Sequence, residues 1–232
     1  QQFGTPNFAA HGGFCSVNMA AGGIYTIGGA FWEFGAPDWD RTEMFVLFGV
    51  AEDHDSNPIK IGLGKVKGRG KRVVSVNPVQ TGYAAISDDW YGVTPGTDGL
   101  LIMSLIRELM LSGNIDVDYL RRYTNASWLV IRNPGAANDG LFYRDVDGNP
   151  QVIDRKTGLA VPHQTKNVST AMHGEISLDD GGVAVPAFMI ISETYMHESF
   201  SPDAVSPKVG ISPERIRQFA ADLAKAAFSK EI

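Results

Sequence analysis

Short apolar runs separated by polar, glycine-containing turns dominate the first half of the chain. Met44–Phe48 is a continuous apolar run closed by Gly49, which predicts a fully buried strand of a parallel sheet. Val73–Val76 predicts a second buried strand, and Trp90–Thr94 predicts a third strand at an edge. The residues between the first two strands predict a helix at about 58–67.

Helix signals follow the third strand. Thr97 stands where an N-cap is expected, Asp98 begins an apolar-rich helix, and Gly113 is a typical helix stop. A short helix is predicted at about 117–123. This order of strands and helices is typical of a doubly wound, mostly parallel, Rossmann-like α/β sheet, which binds ligands at the carboxyl ends of its strands. Those ends are the loops at 49–57, 77–82 and 95–98.

The pattern changes from about residue 127. Residues 127–131 predict another strand, and residues 141–154 predict a β-hairpin that turns at Asp147-Gly148. Residues 160–187 are predicted to be irregular, and residues 187–199 helical. The last helix begins at Ser212-Pro213, and one face of it is apolar at helical spacing. We expect three parts: an α/β core at 1–126, a hairpin and loop excursion at 127–187, and C-terminal helices at 188–232 that pack back on the core.

Composition narrows the class of protein. At 44% apolar and 20% charged residues, the chain of 232 residues can bury a core. A formal net charge of −6 argues against a nucleic-acid binder. The single cysteine excludes a disulfide framework and a zinc or iron–sulfur site built from this chain's cysteines alone. We expect no direct membrane insertion, because no apolar run of about 18 residues occurs.

Each strand-end loop has a functional and a structural interpretation. Backbone amides after Gly49 could hold a phosphate, but Glu52, Asp53 and Asp55 would repel one, and an ordinary capped helix start explains the loop as well. Asn77-Pro78 could meet ribose hydroxyls or simply end the strand.

Asp98 could accept from the adjacent N–H donors of guanine, or could serve only as a helix-start carboxylate. Around Cys15, the Gly-Gly pairs at 12–13, 22–23 and 28–29 fit either tight helix packing or close approach to a ligand. The sequence "HGGF" at 11–14 is similar to an esterase oxyanion loop, but no G-x-S-x-G elbow follows it.

In order, three segments resemble the molybdopterin oxidoreductases of the dimethyl sulfoxide reductase family. They are "HGGFCSVNMAAGGIYTIGG", "MFVLFGVAEDHDSNP" and "GKRVVSVNPVQTGYAAISDDWYGVTPGTDGLLIMSLIREL". The resemblance covers about residues 11–124 and returns at "SPDAVSPKVGISPERIRQFAADLA".

The family implies a bis(molybdopterin guanine dinucleotide) cofactor, of which this region would hold one dinucleotide. By resemblance, the loop at 49–57 lies along the pterin and diphosphate, Asn77-Pro78 meets the guanosine ribose, and Gly96-Thr97-Asp98 reads the guanine. The segment at 15–16 lies near the cofactor, and Cys15 is not expected to ligate the metal. The expected cofactor contacts are Cys15, Ser16, Gly49, Val50, Ala51, Asp55, Ser56, Asn77, Pro78, Thr81, Gly96, Thr97 and Asp98.

The chain also departs from the family pattern. The family's Asp-Pro-Arg after the second strand reads Asn77-Pro78-Val79 here, which weakens ribose recognition and removes a cation. The family's metal ligand and its 4Fe-4S segment, where present, precede this region. We therefore expect an excised central domain with no catalytic or metal-ligating residue, inactive alone, whose partners are the remaining domains of the parent and an electron-transfer subunit.

The intact parent is expected to carry out two-electron redox chemistry at molybdenum or tungsten, in the cytoplasm or, given a signal at its start, in the periplasm. The alternative from another functional class is a guanine-nucleotide-binding module without redox activity.

Overall fold

The computed structural model describes residues 4, 12, 16–29, 37–50, 59–80 and 82–228. Contacts divide the chain into two compact units, residues 1–42 and 43–232. The first unit contains helix α1 (Ser16–Ile27), in which Gly22-Gly23 forms part of the small-residue helix that the glycine pairs suggested. All other elements belong to the second unit. The predicted division at residues 126 and 187 stays a prediction.

The second unit begins with a parallel sheet of three strands, β1 (Met44–Phe48), β2 (Arg72–Val76) and β3 (Asp89–Tyr91), in the order β1-β2-β3. Helix α2 (Ile59–Gly68) joins β1 to β2, and the short α3 (Tyr83–Ile86) joins β2 to β3. After β3 come α4 (Asp98–Leu111) and α5 (Val117–Tyr123). These elements match the predicted order, and Asp98 is the first residue of α4.

The main core lies on one face of this sheet. Its members are buried side chains of β2, β3, α4 and the two C-terminal helices α7 (Pro202–Val209) and α8 (Pro213–Ala227). Val74 and Val76 face this core, and α2 and α3 contact β2 outside it. The C-terminal helices thus pack on the parallel sheet, although α7 was not predicted. Only Leu47 of β1 is buried, because β1 is an edge strand, so the prediction of a fully buried first strand was wrong.

The excursion is built from antiparallel strands, namely β4 (Leu129–Arg132), β5 (Gln151–Ile153), β6 (Ala160–Pro162), β7 (Ile176–Ser177) and β8 (Val183–Pro186). They form one sheet in the order β4-β8-β7 and one β5-β6 pair. Three of these strands lie in the segment predicted to be irregular. The described chain is therefore mixed α/β, and its parallel sheet is confined to three strands.

The Asp147-Gly148 turn forms as predicted, with the Gly148 amide donating to the Asp145 carbonyl at 3.0 Å. Its flanks pair only through a bridge between Arg144 and Pro150, and β5 pairs instead with β6. Helix α6 (Ala187–Tyr195) ends four residues before the predicted Ser199, and a 3-10 turn (Glu198–Phe200) follows.

Candidate functional site

The register of the parallel sheet brings three strand ends to one edge. Phe48 pairs with Val76, and Val76 pairs with Tyr91. The next residues continue this alignment, since the Gly49 amide donates to the Val76 carbonyl at 2.9 Å and the Asn77 amide to the Tyr91 carbonyl at 3.1 Å. The loops after β1 and β2 therefore begin side by side, as the topology predicted.

The third turn, residues 94–98, leads from the end of β3 into α4. The Thr94 amide donates to the Val209 carbonyl at 2.9 Å, so the C-terminal end of α7 anchors this turn. Gly96 has φ +82, a conformation that L side chains rarely adopt, which explains a glycine here. Thr97 occupies the predicted N-cap position, but its hydroxyl donates back to the Thr94 carbonyl at 2.7 Å and makes no capping hydrogen bond.

Asp98 is half-buried at the start of the fourteen-residue helix α4. In the part of the chain that the structure describes, its carboxylate makes no hydrogen bond or ion pair with another side chain. The positive end of the helix dipole stabilises an ionised carboxylate at this position. Asp98 can therefore present two acceptor oxygens to a ligand with adjacent donors.

Asn77 is buried, with an exposed fraction of 3%, and its polar groups serve the turn. Its Oδ1 accepts from the Val79 amide at 3.1 Å, and its carbonyl oxygen accepts from Trp90 Nε1 at 2.7 Å. The structural interpretation of Asn77-Pro78 as a strand-ending turn is thus confirmed. Contact with a ribose stays a prediction, and Pro78 is exposed beside it.

Trp90 and Gly92 contribute to this edge, and the sequence interpretation missed them. A Cβ at Gly92 would lie 2.8 Å from Cζ2 of Trp90, so only glycine leaves room for the indole. The two residues are two apart on one strand and face the same side of the sheet. The pattern Trp90-Tyr91-Gly92 at a strand end was the available signal.

The remaining predicted contacts are described only in part. Gly49 has φ +66 and Val50 follows it, half-buried, at the start of the first loop. Ser16 is the first residue of α1, in the other compact unit. The other predicted contacts, Cys15, Ala51, Asp55, Ser56 and Thr81, lie outside the described residues.

A cavity of about 310 Å³ opens at the opposite edge of the sheet, where β1 and β2 begin. Arg72 donates there to Asp222 of α8 at 2.6 Å and also contacts Asp89 of β3. Hydrogen bonds to Asp222 and Asp89 raise the pKa of Arg72, so it stays charged. These internal pairs fit a junction between sheet and helix, away from the strand-end turns.

Two further properties hold for the described ranges. They contain no group of three or more His, Cys, Asp or Glu residues that could hold a metal ion. Among the same residues, every helix is too short or too polar to cross a membrane.

A parallel α/β sheet whose three strand-end turns share one edge defines a ligand-binding α/β domain. No protein-family model matches the chain. It is 44% identical over its whole length to one component of the sulfite dehydrogenase of Allochromatium vinosum, of which it covers 25%. Over 77% of its length it is 26% identical to one component of the tetrathionate reductase of Salmonella typhimurium, of which it covers 20%. The chain therefore spans about a quarter or less of these relatives.

The fold is similar to part of the solved acetylene hydratase from Pelobacter acetylenicus, with a TM-score of 0.55 over 94% of this chain, 21% of that chain, and 15% sequence identity. The homologues are molybdopterin oxidoreductases of the dimethyl sulfoxide reductase family, and the chain belongs to that family as a segment of such an enzyme. This homology implies a molybdopterin cofactor for the enzyme and confirms the resemblance seen in the sequence.

Proposed function

We propose that this chain is a Rossmann-like cofactor-binding region of a molybdenum or tungsten oxidoreductase, and that it holds the guanine end of one molybdopterin guanine dinucleotide. The observation that carries the proposal is the half-buried Asp98 carboxylate, without a side-chain partner among the described residues, at a turn of the ligand-binding edge. A buried or half-buried carboxylate needs donors, and guanine offers N1–H and N2–H₂ side by side.

The glycines of the edge fit this cofactor. Gly49 and Gly96 both adopt a positive φ and open the first and third turns, and glycine lets the backbone approach a bulky ligand closely. Asn77 and the helix start at Asp98 complete a polar edge around apolar strands. The donors and acceptors of a purine nucleotide match this edge better than an apolar ligand does.

The molybdopterin cofactor supplies two-electron redox chemistry at its metal when bound, and this chain contributes binding and orientation. We assign no metal ligand and no catalytic residue to the chain, so the chain alone is expected to be inactive. The parent is proposed to hold a second dinucleotide, and to transfer electrons to a separate subunit.

The identity with a sulfite dehydrogenase makes sulfite the first substrate to assay for the parent. The full-length protein should oxidise sulfite with an artificial electron acceptor, whereas the 232-residue chain should not. Turnover by the chain alone would contradict the assignment of the metal ligand and catalytic groups to other segments.

Cofactor analysis of the purified full-length protein tests the assignment independently of the substrate. Acid hydrolysis should release guanine nucleotide and pterin, and elemental analysis should find molybdenum or tungsten in the same sample. A protein that contains neither pterin nor metal, yet binds GDP saturably, would instead support a guanine-nucleotide module without redox activity.

A further inference from the structure

A second cavity, of about 330 Å³, lies in the antiparallel part of the second unit. It is lined by one face of α5, the start of α6 and two loops of the excursion. None of its residues belongs to the turns after β1, β2 and β3. The lining residues are Val117, Arg121, Arg155, Ala171, Met172, His173 and Phe188.

Local pairing fixes the position of the two loops. Asp154 and Thr170 form an antiparallel bridge. Beside it, the Arg155 amide donates to the Ser169 carbonyl at 2.9 Å, and the Ala171 amide donates to the Ile153 carbonyl at 2.9 Å. These bonds hold Arg155 next to the segment that carries Met172 and His173.

The helices supply the other walls. Val117 and Arg121 are four residues apart on α5 and therefore lie on one face of the helix. Phe188 is fixed because its amide donates to the Ala126 carbonyl at 2.8 Å. The ring of His173 meets the ring of Phe188 edge-on, with the centroids 5.8 Å apart.

The cavity has an apolar floor and a cationic rim. Met172 and Phe188 are buried in a small core with Ala126 and form the floor. Arg121, Arg155 and His173 form the rim and all carry N–H donors. An apolar floor with a few convergent polar groups is the usual composition of a small-molecule site.

The donors of the rim exceed its acceptors. Nη1 of Arg121 pairs with Asp118 at 3.0 Å, but Asp118 is 88% exposed. Nε of Arg121 is buried and has no hydrogen-bond partner. Within the described chain, the guanidinium of Arg155 makes no hydrogen bond or ion pair. A buried N–H group without an acceptor is rare in folded proteins and calls for a ligand or a water.

We propose that this cavity binds a small organic anion, with its carboxylate or sulfonate head at Arg121 and Arg155 and its apolar body on Met172 and Phe188. Planar guanidinium groups bind such heads through paired N–H donors. A modest rotation of Arg121 toward the head would give its Nε–H an acceptor. His173 adds a donor at the rim and narrows the entrance beside Phe188.

Titration of the full-length protein with benzoate and with benzyl alcohol, a neutral analogue of similar shape, tests this site at constant ionic strength. Benzoate is expected to bind saturably and at least about tenfold tighter than benzyl alcohol, because charge-assisted hydrogen bonds form only with the anion. The Nε–H resonance of Arg121 should shift as benzoate is added. Equal binding of the two compounds, or an unchanged resonance, would overturn the proposal.

A matched pair of variants separates the site from general charge. Arg155→Gln, on an exposed loop, is expected to weaken benzoate at least about tenfold. Arg122→Gln removes the same charge from α5 outside the cavity and should change the affinity less than about twofold. Equal losses in the two variants would show that overall charge, rather than this cavity, attracts the anion. Benzenesulfonate should behave like benzoate if the anionic head is what the arginines bind.

Discussion

Gly92→Ala is expected to destabilise the ligand-binding edge although it adds only one methyl group. A Cβ at Gly92 would lie 2.8 Å from Cζ2 and 2.9 Å from Cη2 of Trp90. Carbon atoms in favourable contact are about 3.5–4.0 Å apart, so the indole would have to move. The φ of Gly92 lies outside the left-handed region, so the backbone accepts alanine and the clash is the main cost.

The magnitude follows from what the indole holds. Moving the ring breaks the 2.7 Å hydrogen bond from Trp90 Nε1 to the Asn77 carbonyl, which costs about 1 kcal/mol. Overpacking adds about 1–3 kcal/mol, and because Trp90 is half-buried and can yield, the lower figure applies. We therefore expect the free energy of unfolding to fall by about 2 kcal/mol.

Urea unfolding measures this change, and Gly99→Ala is the matched control. No atom lies within 4 Å of a Cβ at Gly99, which is helical, so this variant should raise the free energy of unfolding by up to about 0.5–1 kcal/mol. The cost of Gly92→Ala should also shrink in a Trp90→Phe background, where the clashing ring is absent. A Gly92→Ala protein as stable as the wild type, or an equal cost in both backgrounds, would refute the reasoning.

Two further predictions concern charged groups of the sheet. Asp222→Asn should lower the free energy of unfolding by about 1 kcal/mol at low salt and by less at 0.5 M NaCl, because Arg72 loses a charged partner. Burial works against ionisation of Asp88, yet the amide of Val73 and the cation of Lys67 lower its pKa overall. Its stabilisation is therefore present above about pH 4 and lost as the pH falls through its lowered pKa, so Asp88→Asn should flatten the acid limb of the unfolding free energy.

Elements with strong local signals could be predicted from the sequence. Helix α8 begins at Ser212-Pro213 as expected, because the Ser212 hydroxyl accepts from the Arg215 amide and proline suits the first turn. Helix α7 was missed because Pro207 lies inside it and removes a helical hydrogen bond. Its buried residues Val205 and Val209 pack in the main core, and this tertiary packing outweighs the local signal.

The candidate site shows the same division. The shared edge of the three strand-end turns follows from parallel topology and could be anticipated. The clamp of Trp90 on the Asn77 turn and the link from Thr94 to Val209 join residues that are 13 and 115 positions apart. Contacts of this kind depend on packing between distant segments, which hydrophobic periodicity does not encode. The cavity at Arg121 and Arg155 was missed for the same reason.

Titration of the purified chain with GDP and with ADP, in the wild type and in Asp98→Ala, tests the central claim most directly. A carboxylate that accepts two hydrogen bonds from guanine should favour GDP by about 1–3 kcal/mol, that is, about tenfold or more, and Asp98→Ala should abolish this preference. Glu214→Ala removes a first-turn carboxylate from another helix, α8, and should leave the preference intact. Equal affinity of the wild type for GDP and ADP, or a GDP preference that survives Asp98→Ala, would contradict the account.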